Sequence, residues 1–191
     1  MKNILCSISL LLLVGYITSC NKKTNPYQIK NDLSFDCSLK IDSAPELFNI
    51  LKSINPDLIY FGVCTNKENK LMISVSKYIN EEPISIETAF FDYTANKIPE
   101  NSMGDYKILS SEKYVKDNHT FYRKVSCNNG TIVNVMYYLM KDNKSKNFYE
   151  FKMTGYIDEK NYLIDVLEKT VMSVELEWDY LVDFVFLNLS G

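Results

Sequence analysis

The triplet Asn128-Asn129-Gly130 lies between two runs, Thr120 to Cys127 and Thr131 to Met140, that are rich in β-branched and aromatic residues. An Asn-Gly pair takes positive φ at little cost, and the tight turn it makes matches the right-handed twist of the strands on either side. The middle of the chain is thereby committed to an antiparallel hairpin. Its surroundings extend the pattern. Tyr106 to Tyr114 reads as a strand with an irregularity near Ser110-Ser111. After a polar turn from Lys141 to Asn147, the strand Phe148 to Gly155 sets Tyr149, Phe151 and Met153 on one side. The second half is an antiparallel meander.

The first half mixes strands with helices. Leu33, Phe35, Cys37, Leu39 and Ile41 alternate with polar residues, as in one half-buried strand. Ser43-Ala44-Pro45-Glu46 has the form of a capping box with proline in the first turn, and Leu47, Ile50, Leu51 and Ile54 follow at helical spacing. Asn55-Pro56-Asp57 ends that helix. The apolar run Leu58 to Cys64 and the strand Leu71 to Ile79, joined by the polar Asn66 to Lys70, form a second hairpin that Glu81-Glu82-Pro83 should end. Ser85 caps a helix with Ile86, Ala89, Phe90 and Tyr93 on one face, stopped by Pro99. Asp158 starts a last helix whose buried stripe is Tyr162, Leu163, Val166, Leu167 and Thr170. Val171 to Glu177 reads as a closing strand, and the apolar tail Trp178 to Gly191 has no decisive periodicity.

The start of the chain is of another kind. Lys2, an uncharged apolar run from Ile4 to Ile17 and the tetrapeptide Ile17-Thr18-Ser19-Cys20 form a secretory leader. The run is shorter than the roughly twenty residues that a membrane-spanning helix needs. The tetrapeptide resembles the bacterial lipobox, which implies cleavage before Cys20, a lipid on its thiol and anchoring to a membrane by two or more acyl chains. Asn21 to Asn31, with Lys22, Lys23 and Pro26, reads as a polar tether. The expected organisation is a leader over 1–19, lipidated cysteine and tether over 20–32, one domain over 33–177 and an apolar tail over 178–191. That length suits a single core. The residue after the cysteine is not Asp. By resemblance to sorting rules, this favours an outer membrane facing the periplasm in a diderm bacterium, and otherwise the outer face of the cytoplasmic membrane.

The order strand, helix, hairpin, helix, meander, helix, strand resembles the PsbP-like superfamily. That superfamily includes the extrinsic photosystem protein, Ran-binding import factors and small bacterial envelope lipoproteins. The resemblance rests on Leu71 to Val75, the helix from Ser85, the stretch Tyr106 to Val125, the hairpin at Asn129-Gly130 and the segment Asp158 to Val174. The pattern Thr170-Val171-Met172-Ser173-Val174 matches the family's strand after its last helix. The resemblance implies an α+β fold, with an antiparallel sheet of about six to seven strands flanked by three helices, and a non-enzymatic binding or assembly role. No family site residue carries over.

Chemistry is sparse. The single histidine, His119, stands at the mouth of a strand in Lys116-Asp117-Asn118-His119 and reads better as a solvated turn than as a catalytic base. The sequence has no nucleophile elbow, phosphate loop or Cys-x-x-Cys, and we expect no cofactor. Glu175, Glu177 and Asp179, with Asp183 beyond, read as an acidic edge before they read as a calcium site. Glu81-Glu82 reads as an exposed turn. Three cysteines remain once Cys6 leaves and Cys20 is lipidated. Cys37, Cys64 and Cys127 are either buried free thiols or include one bridge, for which Cys37 with Cys64 is favoured. Fourteen Tyr and ten Phe against one Trp suggest either a binding platform or filling of half-buried positions, and Tyr137-Tyr138 must point to opposite faces. A mildly acidic chain with one arginine, Arg123, has no nucleic-acid footprint. The expected function is a lipid-anchored, non-catalytic envelope module with a protein partner. The alternatives are a tethered hydrolase acting on wall or polysaccharide, which needs two acids facing one cleft, and a small inhibitor or immunity-type protein.

Overall fold

The computed structural model describes residues 27–29, 33–66, 69–96, 105–116, 119–140 and 144–176. The expected leader over 1–19, Cys20, the residues up to Pro26 and the tail beyond Leu176 lie outside these. The described elements begin with β1 (Tyr27–Ile29), β2 (Leu33–Phe35), β3 (Ile41–Ser43), α1 (Pro45–Ile54), β4 (Leu58–Asn66) and β5 (Asn69–Ser85). They continue with α2 (Ile86–Asn96), β6 (Lys107–Lys116), β7 (His119–Asn128), β8 (Ile132–Leu139), β9 (Lys144–Tyr156), α3 (Lys160–Met172) and β10 (Glu175–Leu176).

The hairpin at the centre is as its turn residues dictate. Asn129 and Gly130 take φ of 52° and 69°, and the Thr131 N–H donates to the Asn128 carbonyl at 3.2 Å. Both central residues being left-handed marks the type I′ turn. Around it β6, β7, β8 and β9 pair as consecutive antiparallel neighbours, with a register shift between Ile108 and Ser110 in β6. The β4–β5 hairpin joins this meander through β5 and β9, which run antiparallel from Met72 opposite Thr154 to Ser85 opposite Lys144. The result is a seven-stranded sheet in the order β3-β4-β5-β9-β8-β7-β6. A second, three-stranded sheet has the order β1-β2-β10.

Alternation gives the large sheet two apolar faces. On the first, Leu71, Ile73, Val75, Val133, Val135, Tyr137, Phe151 and Met153 are wholly buried, together with Leu163 and Leu167 of α3 and Leu33 and Phe35 of the small sheet. Phe35 joins the layers, its ring edge-on to Phe151 at 5.6 Å. On the second face, Tyr78, Tyr122, Tyr138 and Phe148 form a separate cluster beneath Ile86, Ala89 and Phe90 of α2. Phe90 stacks on Tyr122 at 4.4 Å, and Tyr138 stacks on Phe148 at 5.6 Å. Tyr137 and Tyr138 do point opposite ways, yet both are buried, so these tyrosines fill two cores and form no exposed platform.

Several expectations are corrected. Leu33 to Ile41 is not one strand, because β2 and β3 belong to different sheets with residues 36–40 between them. Tyr27–Ile29, expected in the tether, is a strand with Ile29 buried and Tyr27 opposite Phe35. The capping box does not form: Ser43 stays in β3, Ala44 is the N-cap and no side chain caps α1. Glu81-Glu82-Pro83 does not end β5, which absorbs the proline in a register shift between Ile79 and Ile84. An irregularity frees an N–H position that regular pairing would require, so proline is tolerated there. Asp158 lies in a 3-10 turn, Ile157–Glu159, before α3, and Tyr162 is exposed while Val171 takes its place in the buried stripe. Thr170 to Met172 continues α3, which leaves a two-residue β10 in place of the closing strand. Ser85 does cap α2, its hydroxyl accepting the Thr88 N–H at 3.1 Å.

Candidate functional site

α2 covers only one end of the second sheet face. At the other end α1 packs against β4, and between the two helices the sheet lies open beneath a cleft of about 350 Å³. Strand alternation makes its floor polar. Ile73 and Val75 face the main core, so Ser74 and Ser76 face the cleft. Phe151 and Met153 face the core, so Glu150, Lys152 and Thr154 do not. Cross-strand register arranges these groups in rows. Ser76 lies opposite Glu150, and Glu150 lies opposite Tyr138. Ser74 lies opposite Lys152, and Met72 opposite Thr154, whose hydroxyl donates to Asn134 Oδ1 at 2.8 Å. Leu51 and Ile54 of α1, with Leu58 and Phe61 of β4, form an apolar wall. The Asn55 amide, at the end of α1, donates to Ser76 Oγ at 3.2 Å and ties wall to floor.

Glu150 and Lys152 are two residues apart on one strand and therefore on one face. Neighbouring Tyr138 is held far above the ordinary phenol range, first by burial and then by the Glu150 charge. Its hydroxyl stays protonated and donates to Met136 Sδ at 3.5 Å. Lys124, also on this face and buried, places its ammonium 5.7 Å from the Tyr106 ring centroid. α2 is pinned to the outer strand by an ion pair between Glu87 and Lys113. The cleft thus offers hydroxyls, amides, one carboxylate and one ammonium beside a greasy wall. That arrangement suits hydrogen bonding to an extended chain or a polar ligand that carries an apolar flank. Among the described lining residues Glu150 is the sole acid, so the paired carboxylates of acid-base hydrolysis are not brought together here.

The residues singled out in the sequence lie elsewhere. Cys37, Cys64 and Cys127 are free thiols. Cys64 is buried on β4 and its thiol is pushed up to about 11 by burial, with Cys37 nearby adding to the shift. The Tyr60 phenol, in the same neighbourhood, is raised to about 12, again chiefly by burial. His119 opens β7 opposite Lys116. Glu175 is exposed on β10, whereas Glu177, Asp179 and Asp183 fall outside the described residues. Among the described residues no group of three His, Cys, Asp or Glu side chains is placed to hold a metal ion, and no helix is long and apolar enough to cross a membrane. Sequence reasoning missed Ser74, Ser76, Glu150 and Lys152. Their only signal is polar alternation, which reads as an ordinary solvent face.

The two-faced antiparallel sheet, with α3 on one side and α2 on the other, is similar in fold to a solved PsbP structure. The structural comparison carries this. The solution structure of cyanobacterial PsbP (CyanoP) from Synechocystis sp. PCC 6803 superposes with a TM-score of 0.51 over 83% of this chain and 97% of that one, at 10% identity. No family model matches the sequence, and no curated protein matches it. The likeness is therefore one of fold.

Proposed function

We propose that this chain is a lipid-anchored, non-catalytic binding or assembly module of the bacterial envelope, held through Cys20, that presents the cleft between α1 and the second sheet face to a protein partner. The single observation that carries the binding role is the cleft itself, a polar floor of cross-strand Ser, Thr, Glu and Lys side chains under an apolar wall. Support for the anchor comes from the leader and the lipobox-like Ile17-Thr18-Ser19-Cys20. The outer membrane, on its periplasmic side, is the location that the residue after the cysteine favours for a diderm host. The test is site-specific photocrosslinking in native membranes, with the probe at Met72 in the cleft and, as a control, at Val115 on the far edge strand. One reproducible partner captured from Met72 and absent from Val115 is expected. Repeated recovery of the protein alone from both positions would reject the proposal.

A further inference from the structure

α1 leaves its apolar stripe bare. Leu47, Ile50 and Ile54 are spaced by three and four residues on one face, Ile50 and Ile54 are 58% and 76% exposed, and no residue of the helix is buried. Phe48 and Leu51, half-buried, line hollows shared with Phe61 of β4, the second of which Ile54 also lines. A helix on a globular domain ordinarily turns its apolar stripe into the core. This one turns much of it away.

The start of the chain indicates what covers that stripe. The Tyr27 hydroxyl accepts the Ile41 N–H at 2.9 Å, and Pro45, the first residue of α1, follows four residues later. Cys20 precedes Tyr27 by seven residues, so a lipid on that cysteine holds Tyr27 within about 25 Å of the bilayer, and four further residues span at most about 14 Å. The helix therefore starts within about 40 Å of the bilayer, close enough for its stripe to reach the surface. Its charges are one acid, Glu46, and one base, Lys52, and the Lys52 ammonium is engaged by the carbonyls of Pro56 at 2.5 Å and Leu58 at 2.6 Å. Such a helix is drawn to a surface by its apolar side chains and not by charge.

We infer that α1 is an interfacial helix that lays Leu47, Ile50 and Ile54 into the surface of the membrane to which Cys20 is attached, an inference that rests on the anchor proposed above. The consequence for binding is geometric. Leu51 and Ile54 also form the cleft wall, so the docked helix sets the cleft mouth beside the bilayer, and a partner reaches it along the membrane surface.

The experiment uses the full lipidated chain reconstituted into phosphatidylcholine vesicles that carry a spin-labelled lipid with its nitroxide near the headgroup. A bimane fluorophore is placed through Ile54→Cys or, as a control on β6, through Val115→Cys, each in a Cys37→Ser background. Both positions are exposed, at 76% and 66%, so neither substitution disturbs packing. Quenching at least several-fold stronger at position 54 than at 115, and unchanged between low and high salt, is expected. Equal quenching at the two positions on vesicle-bound protein would overturn the membrane-docked helix while leaving the anchor standing. A chain that is never processed or retained in the membrane fraction would overturn both. A photocrosslinker at Ile50 that captures one protein in native membranes, in place of lipid, would overturn the inference in favour of a protein partner.

Discussion

Tyr27→Phe tests whether the chain before Leu33 is part of the fold. The Tyr27 hydroxyl accepts the Ile41 N–H at 2.9 Å and donates to the Leu39 carbonyl at 3.4 Å, and its ring stacks on Phe35 at 5.5 Å and 25°. Phenylalanine keeps the stack and removes the hydroxyl. The longer contact is at the edge of useful geometry and contributes little. The loss is then the cost of leaving the N–H of Ile41, a residue only 8% exposed, without its acceptor, about 1–3 kcal/mol. With a urea m-value of about 2 kcal/mol/M, the unfolding midpoint should fall by roughly 0.5–1.5 M. The assay is equilibrium urea unfolding, followed by circular dichroism, of a soluble form without residues 1–19 and with Cys20→Ser. Tyr27→Ala, which also forfeits the stack, should lose roughly 0.5–1.5 kcal/mol more from the aromatic pair alone. A Phe variant within experimental error of its parent would show that β1 does not clasp β3, and the tether reading of residues 20–32 would return.

The remaining predictions concern packing, the turn and alkaline pH. Gly155→Ala should cost about 1–3 kcal/mol in thermal unfolding, because the new Cβ would lie 2.8 Å from a Leu71 methyl and 3.1 Å from a Leu163 methyl, both wholly buried. Gly130→Ala meets no atom within 4 Å, yet φ is +69°, so about 1–2 kcal/mol of backbone strain should appear in the same assay. Because the folded Cys64 thiol titrates near 11 against 9.0 for an ordinary thiol, the unfolded chain loses that proton first as pH rises. Its contribution is complete below pH 9 and disappears between about pH 9 and 11, up to roughly 3 kcal/mol, so unfolding of Cys64→Ala should depend less steeply on pH across that window. An unchanged alkaline slope would remove the burial argument.

Much of the fold was legible wherever a local signal coincided with a tertiary need. The Asn129-Gly130 turn, the irregularity in β6, the Ser85 cap and the facing of Tyr149, Phe151 and Met153 all depend on neighbours a few residues away. The failures share a cause as well. Ser43 can cap a helix or end a strand, and pairing of β3 with β4 decides for the strand. Val171 and Met172 read as the start of a closing strand over Val171 to Glu177, but burial of Val171 against the first core continues the helix. The polar residues of β5 and β9 look like any solvated sheet face. Only the packing of α1 beside β4 turns that face into a cleft.

By itself, the sequence determined that the second half is an antiparallel meander and that the domain mixes this sheet with three helices. These follow from turn chemistry, side-chain period and hydrophobic run length, all properties of contiguous residues. Tertiary structure alone decided that β5 pairs with β9 across most of the meander, that Tyr27–Ile29 joins a second sheet, and that α1 and α2 leave an open strip of the second face between them. Long-range pairing depends on which buried surfaces fit once loops have closed, and no local pattern encodes that choice.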